Sequence, residues 1–164
     1  MKIYFNNEKI FSNSQKAITL AKTRKIGEIK KEIVTYSPYE ALYLIENKKA
    51  NAIKNEKKLS YKEILKKLCR GKEFYIKYLV FKELKEKGYI IKTGLKFGEE
   101  FRVYKKNEKH AKWIVYPIHY SKKLDLREFI AKNRIAHSTA KRILLAIIDS
   151  EEKIIFYEIQ WIKP

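Results

Sequence analysis

The chain of 164 residues has one cysteine, Cys69, and only two aspartates, Asp125 and Asp149. It has no long apolar run and no glycine-rich phosphate loop. Each shortage removes a class of protein. A lone cysteine excludes an internal disulfide and any cysteine-based zinc site. No apolar stretch approaches the ~18 residues needed to cross a bilayer. The N-terminus, MKIYFNNEKIFSNSQ, lacks the uninterrupted apolar core of a signal peptide, so a cytoplasmic protein with no membrane partner is expected. Without a Walker-type loop, nucleotide hydrolysis has no support. The aspartate shortage bears on metals. Two-metal phosphodiesterases gather hard carboxylate ligands, yet the first Asp here is residue 125. Glu28-Ile29-Lys30 has a Glu-x-Lys spacing, but no Asp precedes it to complete a restriction-enzyme-type ligand set. Metal-free acid–base chemistry is what remains, with neither metal nor cofactor expected.

What the chain does have is positive charge and enough apolar residues to fold. Lys and Arg number 38 against 19 acids, a net charge of +19. Such a field draws in polyanions and speeds their encounter, which makes nucleic acid the leading partner. Lysine-rich composition alone can inflate such a count, but here Lys far outnumbers Glu. Hydrophobic residues at 45% and aromatics at 13% supply a core and argue against wholesale disorder. The length suits one ordinary domain or two small ones.

Residues 2–12 read as two short strands around an Asn-Asn turn. AITLA and IGEIKKEIVTY, within 17–36, suggest further strands. Ser37-Pro38 then starts a helix through YEALYLIENKK, and ANAIK reads as a strand. Ser60 caps YKEILKKLCR with Glu63 as its capping-box partner, and Gly71 interrupts. EFYIKYLVFKELKEK places Phe74, Tyr78, Phe81 and Leu84 on one helical face, and Gly88 ends it. There follow strands at YIIKTG, EFRVYK and KWIVYPI, a helix at LREFIAKNRIAHS, and strands at RILLAIID and KIIFYEIQWI. No repeat or low-complexity segment stands out. The expectation is an α+β N-terminal domain over 1–72 and an α/β C-terminal domain over 73–164 with a single mixed sheet and flanking helices.

Tyr104 and His110 lie six positions apart in a lysine-rich stretch, Tyr104 ending a strand and His110 in a polar loop between strands. If residues 129–141 were helical, Arg134, Ser138 and Lys141 would share a face as a phosphate-binding ridge, with Arg134 also able to stack on a base. RNA suits such residues because its 2′-hydroxyl can be the nucleophile. The protein then needs a base, an acid and a cation for the charged phosphate. Tyr, His and Lys can fill those posts. A tyrosine, unperturbed at about 10, needs positive neighbours to act as a base, and Lys105, Lys106 and Lys141 could supply them.

GYIIKTGLKFGEEFRVY, HAKWIVYPI, NRIAHSTAKRILLAIID and IIFYEIQW, in that order, resemble the catalytic domain of archaeal tRNA-splicing endonucleases. The similarity extends upstream through SPYEALYLIE, LSYKEI and KYLVFKELKEKGY, so it covers most of 37–164. The motifs are specific in combination rather than singly. The resemblance implies a catalytic triad of Tyr104, closing Phe101-Arg102-Val103-Tyr104, with His110 and Lys141, the last following Ala136-His137-Ser138. It puts Arg134 against a flipped-out bulge base and leaves its partner basic residue without a match, with Phe156 the nearest stacking substitute. Trp161 matches an aromatic suited to core packing or RNA contact; His137 is read as structural.

The implied activity is cleavage of precursor tRNA at a bulge-helix-bulge, without metal, leaving a 2′,3′-cyclic phosphate and a 5′-hydroxyl. The implied fold is a mixed N-terminal domain plus a C-terminal domain like that of restriction endonucleases. The resemblance further implies dimers that form through the last strands and pair through an acidic loop docking into a partner's basic groove. Two departures stand out. The Tyr-to-His loop, KKNEK, is short. The docking loop, Asp149-Ser150-Glu151-Glu152-Lys153, lacks glycine and carries a lysine beside Asp149, Glu151 and Glu152. A weak donor loop favours a separate structural subunit in an (αβ)₂ heterotetramer over a homotetramer. The competing readings are a non-catalytic structural, RNA-binding subunit of the same assembly and an unrelated basic RNA-binding module. Presence of all three triad residues argues against the first.

Overall fold

The computed structural model describes residues 1–6, 9–69, 71–93 and 101–162. It divides into two compact units, Met1–Phe74 and Tyr75–Pro164. The first unit runs β1 (Lys2–Phe5), β2 (Ile10–Ser12), α1 (Gln15–Arg24), β3 (Glu28–Lys30), β4 (Ile33–Tyr36), α2 (Pro38–Glu46), β5 (Asn51–Lys54), β6 (Lys57–Lys58) and α3 (Tyr61–Leu68). Its sheet has the order β3-β4-β2-β1-β5-β6. Only β1 and β5 pair in parallel. β1 and β2 form the expected hairpin, with Tyr4 opposite Phe11; Asn7 of its Asn-Asn turn lies outside the described residues.

AITLA does not form a strand. It lies in α1, where Ser14 Oγ accepts the amide of Ala17 and where Ala17 and Ala21, four apart, are buried. The β-branched residues that suggest a strand are accommodated by back-bonding: Thr19 Oγ1 donates to Gln15 O at 3.0 Å and Thr23 Oγ1 to Thr19 O at 2.8 Å. α3 carries the Ser60–Glu63 capping box that its spacing predicts. α2 carries a second box, Ser37–Glu40, in which the buried Glu40 does double duty. Glu40 Oε2 accepts from Ser37 N and Oγ, both at 3.0 Å, and Oε1 accepts the amide of Gly27 at 2.8 Å.

The second unit holds most of α4 (Lys72–Glu86), then β7 (Ile90–Lys92), β8 (Phe101–Tyr104), β9 (Trp113–His119), α5 (Leu126–Ser138), β10 (Arg142–Ile148) and β11 (Ile154–Ile159). The turn expected between the strands now labelled β7 and β8 lies outside the described residues. The sheet order is β11-β10-β9-β8-β7. β9 and β10 are parallel, and the other pairings are antiparallel. Parallel neighbours need a crossover, which α5 provides. α5 packs its Ala136 and Phe129 against Ile114, Tyr116, Ile118, Ile143 and Leu145. The residues alternating with these, Val103, Trp113 and Val115, face the other way, where Phe81 of α4 meets Phe101 with ring centroids 5.8 Å apart. The protein is thus mixed α and β, with two mixed sheets.

Gly27 has φ +84°, and a Cβ there would stand 2.5 Å from Val34 Cγ1 and 2.8 Å from the Tyr36 ring. Gly27→Ala should therefore destabilise the protein by about 2 kcal/mol or more, read as a lowered urea midpoint.

Candidate active site

Two helix ends in the second unit are built alike, and one of them positions Lys141. At the end of α4, Gly88 (φ 87°) donates its amide to Lys85 O at 3.0 Å and Tyr89 donates to Leu84 O at 3.1 Å. At the end of α5, Ala140 (φ 54°) donates to His137 O at 2.9 Å and Lys141 donates to Ala136 O at 2.8 Å. Both are Schellman motifs, in which a residue in the left-handed region reverses the chain. Lys141 is therefore not helical, and the expected Arg134–Ser138–Lys141 ridge does not form. Arg134 and Ser138 remain on exposed α5, and the Ser138 hydroxyl donates to Ile135 O at 3.0 Å. Lys141 Nζ donates to Thr139 O at 2.7 Å, just before β10 begins.

Sheet register then assembles the site. Val103, Trp113 and Arg142 stand side by side across β8, β9 and β10. One step beyond, the Lys112 amide donates to Val103 O at 2.9 Å, and Lys112 O accepts the Arg142 amide at 3.1 Å. Tyr104 follows Val103, Lys141 precedes Arg142, and His110 comes two residues before Lys112. All three therefore leave the same end of the sheet. A strand spacing of ~4.8 Å puts the Tyr104 and Lys141 backbones roughly 10 Å apart, flanking Lys112. Tyr104 and Lys141 are partly buried, while Lys105, Lys106 and His110 are exposed. The short KKNEK loop turns with Asn107 at φ 70°, a conformation that asparagine tolerates, and Glu108 N donates to Lys105 O at 3.2 Å.

The other sequence-predicted residues divide. Trp161 follows β11 at this same end, since Ile159 pairs with Ile143. It is 53% exposed, and its ring lies 4.7 Å from that of His137. Phe156 is elsewhere: it pairs with Ala146, three residues along from the Ile143–Ile159 pair. The acidic loop occupies the opposite end of the sheet, between β10 and β11. There Asp149 Oδ1 accepts the amides of Glu151 and Lys153 at 2.8 and 2.9 Å, Glu151 pairs with Lys153 Nζ at 2.6 Å, and Glu152 accepts from Tyr75 Oη at 3.2 Å. Glu152, at φ 62°, occupies a left-handed position that glycine would fill without strain.

Sequence reading missed Glu158. Its carboxylate accepts the indole N–H of Trp113 at 2.5 Å, takes a bond from Arg142 Nη1, and lies 3.3 Å from Lys112 Nζ. The available signal was a single acid within an otherwise apolar and aromatic strand, IIFYEI. The Trp113 and Arg142 hydrogen bonds hold its pKa far below the usual carboxylate range, at about 2.

This end of the sheet gathers two proton-transfer groups and an amine within a field of lysines, a set suited to acid–base work on a phosphodiester. Among the described residues, no three His, Cys, Asp or Glu side chains converge as a metal site would require. The family model for the tRNA intron endonuclease, catalytic C-terminal domain, matches residues 74–156. A tRNA-splicing endonuclease of Pyrococcus abyssi is 38% identical over 165 residues, covering 99% of this chain and 97% of that protein. Another, from Nanoarchaeum equitans, is 43% identical over 136 residues, covering 76% and 87%. A third, from Thermococcus kodakarensis, is 35% identical over 164 residues, covering 98% and 97%. The chain belongs to the tRNA intron endonuclease family.

Two outcomes follow from this geometry. Ala140→Gly should raise stability by up to about 1 kcal/mol by relieving the left-handed residue, whereas the β-branched Ala140→Val should lower it by more; thermal melts of the two variants check this. A depressed carboxylate contributes stability that is complete above its unfolded pKa, about 4.3, and is lost as pH falls through the folded value. The stability difference between wild type and Glu158→Gln should accordingly be constant from pH 5 to 8 and shrink between about pH 4 and pH 2, measured by urea unfolding across that range.

Proposed function

We propose that this chain is the catalytic subunit of a tRNA-splicing endonuclease, cutting precursor tRNA at bulge-helix-bulge intron junctions by metal-independent transesterification. The substrate's 2′-hydroxyl attacks the adjacent phosphorus while the bond to the 5′-oxygen breaks. Tyr104 takes the 2′-proton, His110 protonates the departing 5′-oxygen, and the Lys141 ammonium stabilises the charge that builds on the phosphate. The products are a 2′,3′-cyclic phosphate and a 5′-hydroxyl. The observation that carries this reading is the register that brings Tyr104, His110 and Lys141 to one end of the β8-β9-β10 sheet. Membership of the endonuclease family supports it independently.

Around that centre, Lys105, Lys106 and Arg134 are the residues we assign to RNA binding, with Arg134 stacking on a bulge base. Phe156 lies about 13 Å along its strand from the row of Arg142, at ~3.3 Å per residue, so the second stacking role passes to exposed Trp161. We assign the domains as 1–72 and 73–164, a boundary two residues before the division between the compact units. The second is read as restriction-endonuclease-like, on the strength of its β9-α5-β10 crossover within a mixed sheet. Its place of work is the cytoplasm.

For assembly, β11 ends the sheet and presents Ile155 and Tyr157, each about half exposed, which supports dimers through the last strand. Asp149, Glu151 and Glu152 are already engaged within their own unit, which favours docking by a separate structural subunit in an (αβ)₂ complex. A native mass equal to four copies of this chain alone would refute that.

The central test is incubation of the chain, alone and with its partner subunit, with a bulge-helix-bulge RNA in EDTA. Cleavage to cyclic-phosphate ends is expected, with a loss of more than ~100-fold in His110→Ala. A strict requirement for Mg²⁺ would overturn the mechanism. RNA binding without cleavage in every subunit combination would favour a binding module instead.

A further inference from the structure

The Glu158 carboxylate reaches from the last strand of the sheet, across β10, to β9. Of its three partners, Trp113 and Arg142 are the first residues of β9 and β10, and Lys112 immediately precedes Trp113. They lie where the chain arrives from His110 on one side and from Lys141 on the other. Oε2 takes the Trp113 indole N–H and faces Lys112 Nζ, while Oε1 takes the Arg142 guanidinium. Two further contacts tie the cluster down. Lys112 Nζ sits 4.5 Å from the centre of the Trp113 ring, and Tyr89 meets that ring edge-on at 5.5 Å. The Lys112 main chain is itself the joint between β8 and β10, bonded to Val103 and Arg142.

A carboxylate at an RNA-binding edge weakens the attraction for phosphate, so affinity supplies no reason for it. Geometry does supply one. Charge-assisted hydrogen bonds are roughly twice as strong as neutral ones, and here they converge on one anion from the starts of two strands. Without that anion, Lys112 and Arg142 would be two unpaired cations next to Lys141, repelling it and each other and competing with it for the scissile phosphate.

We propose that Glu158 is a positioning residue for catalysis: it clamps the starts of β9 and β10 together and holds Lys112 and Arg142 aside, so that His110 and Lys141 meet the substrate in register. The proposal rests on the catalytic reading given above. Its signature is a split between rate and binding, since loss of the clamp misplaces the reacting groups while the added positive charge favours RNA.

The test is Glu158→Gln in the full complex, with three readouts. Single-turnover cleavage of a bulge-helix-bulge RNA at saturating enzyme should slow about tenfold or more. The Kd for the uncleaved RNA should stay equal or tighten. Amide hydrogen exchange should accelerate at Lys112 and Arg142 but not at Ala146 and Ile147, further along β10. An unchanged cleavage rate would refute the proposal, as would a loss of rate accompanied by uniform acceleration of exchange across β9, β10 and β11, which marks general destabilisation. Should Glu158→Gln not fold, Trp113→Phe removes one donor and should give the same pattern in smaller measure; its absence there would equally refute the clamp. If the wild-type complex fails to cleave, the catalytic reading falls, and the amide exchange still decides whether Glu158 holds the strand ends.

Discussion

The pairing of β9 with β10 is the constraint on which the second unit depends. It is the one parallel pairing in an otherwise antiparallel sheet, and a parallel pair requires the chain to travel back along its full length before the second strand can start. α5 makes that return journey, and its buried side provides much of the core on one face of the sheet. Because the strands are parallel, their starts lie together. Because β8 runs antiparallel to β9, its end lies there too. Three segments distant in sequence thus converge on one row, and Tyr104, His110 and Lys141 are the residues just outside it.

The crossover also explains how Lys141 is held. Its backbone satisfies the last turn of α5 and is followed at once by the first residue of β10, so two elements define its position. A side chain placed by a helix cap and a strand start has less freedom than one on a loop, which suits the charge-stabilising role proposed for Lys141. His110 is different. It sits on an exposed turn, and its placement depends on the short span between Tyr104 and Lys112. Shortness there is an advantage, since few residues leave few conformations.

Much of this fold was legible because local chemistry and tertiary structure agreed. The Ser60–Glu63 box, the Gly88 helix end and the alternation in the strands of the second unit carry their own physical signals. One element was not legible, for an identifiable reason. AITLA has the β-branched residues of a strand, and only the hydroxyl back-bonds of Thr19 and Thr23, with Ala17 and Ala21 facing the core, make it helical. α5 itself ends at Ser138, as LREFIAKNRIAHS indicates, and the conditional ridge through Lys141 fails because Ala140 takes the left-handed position and turns the chain away.

The amino-acid sequence by itself determined the family and nominated the groups proposed to react. Tyr104, His110 and Lys141 are marked by motifs, and a basic chain poor in aspartate points to acid–base work on RNA. Only the tertiary structure decided how those groups come together and what supports them. Glu158 is the clearest instance: it lies 48 residues along the chain from His110, and its partners are brought to it by the register of three strands. Strand register arises from pairing between remote segments, and no local pattern of residues encodes which carboxylate will end up beside which indole.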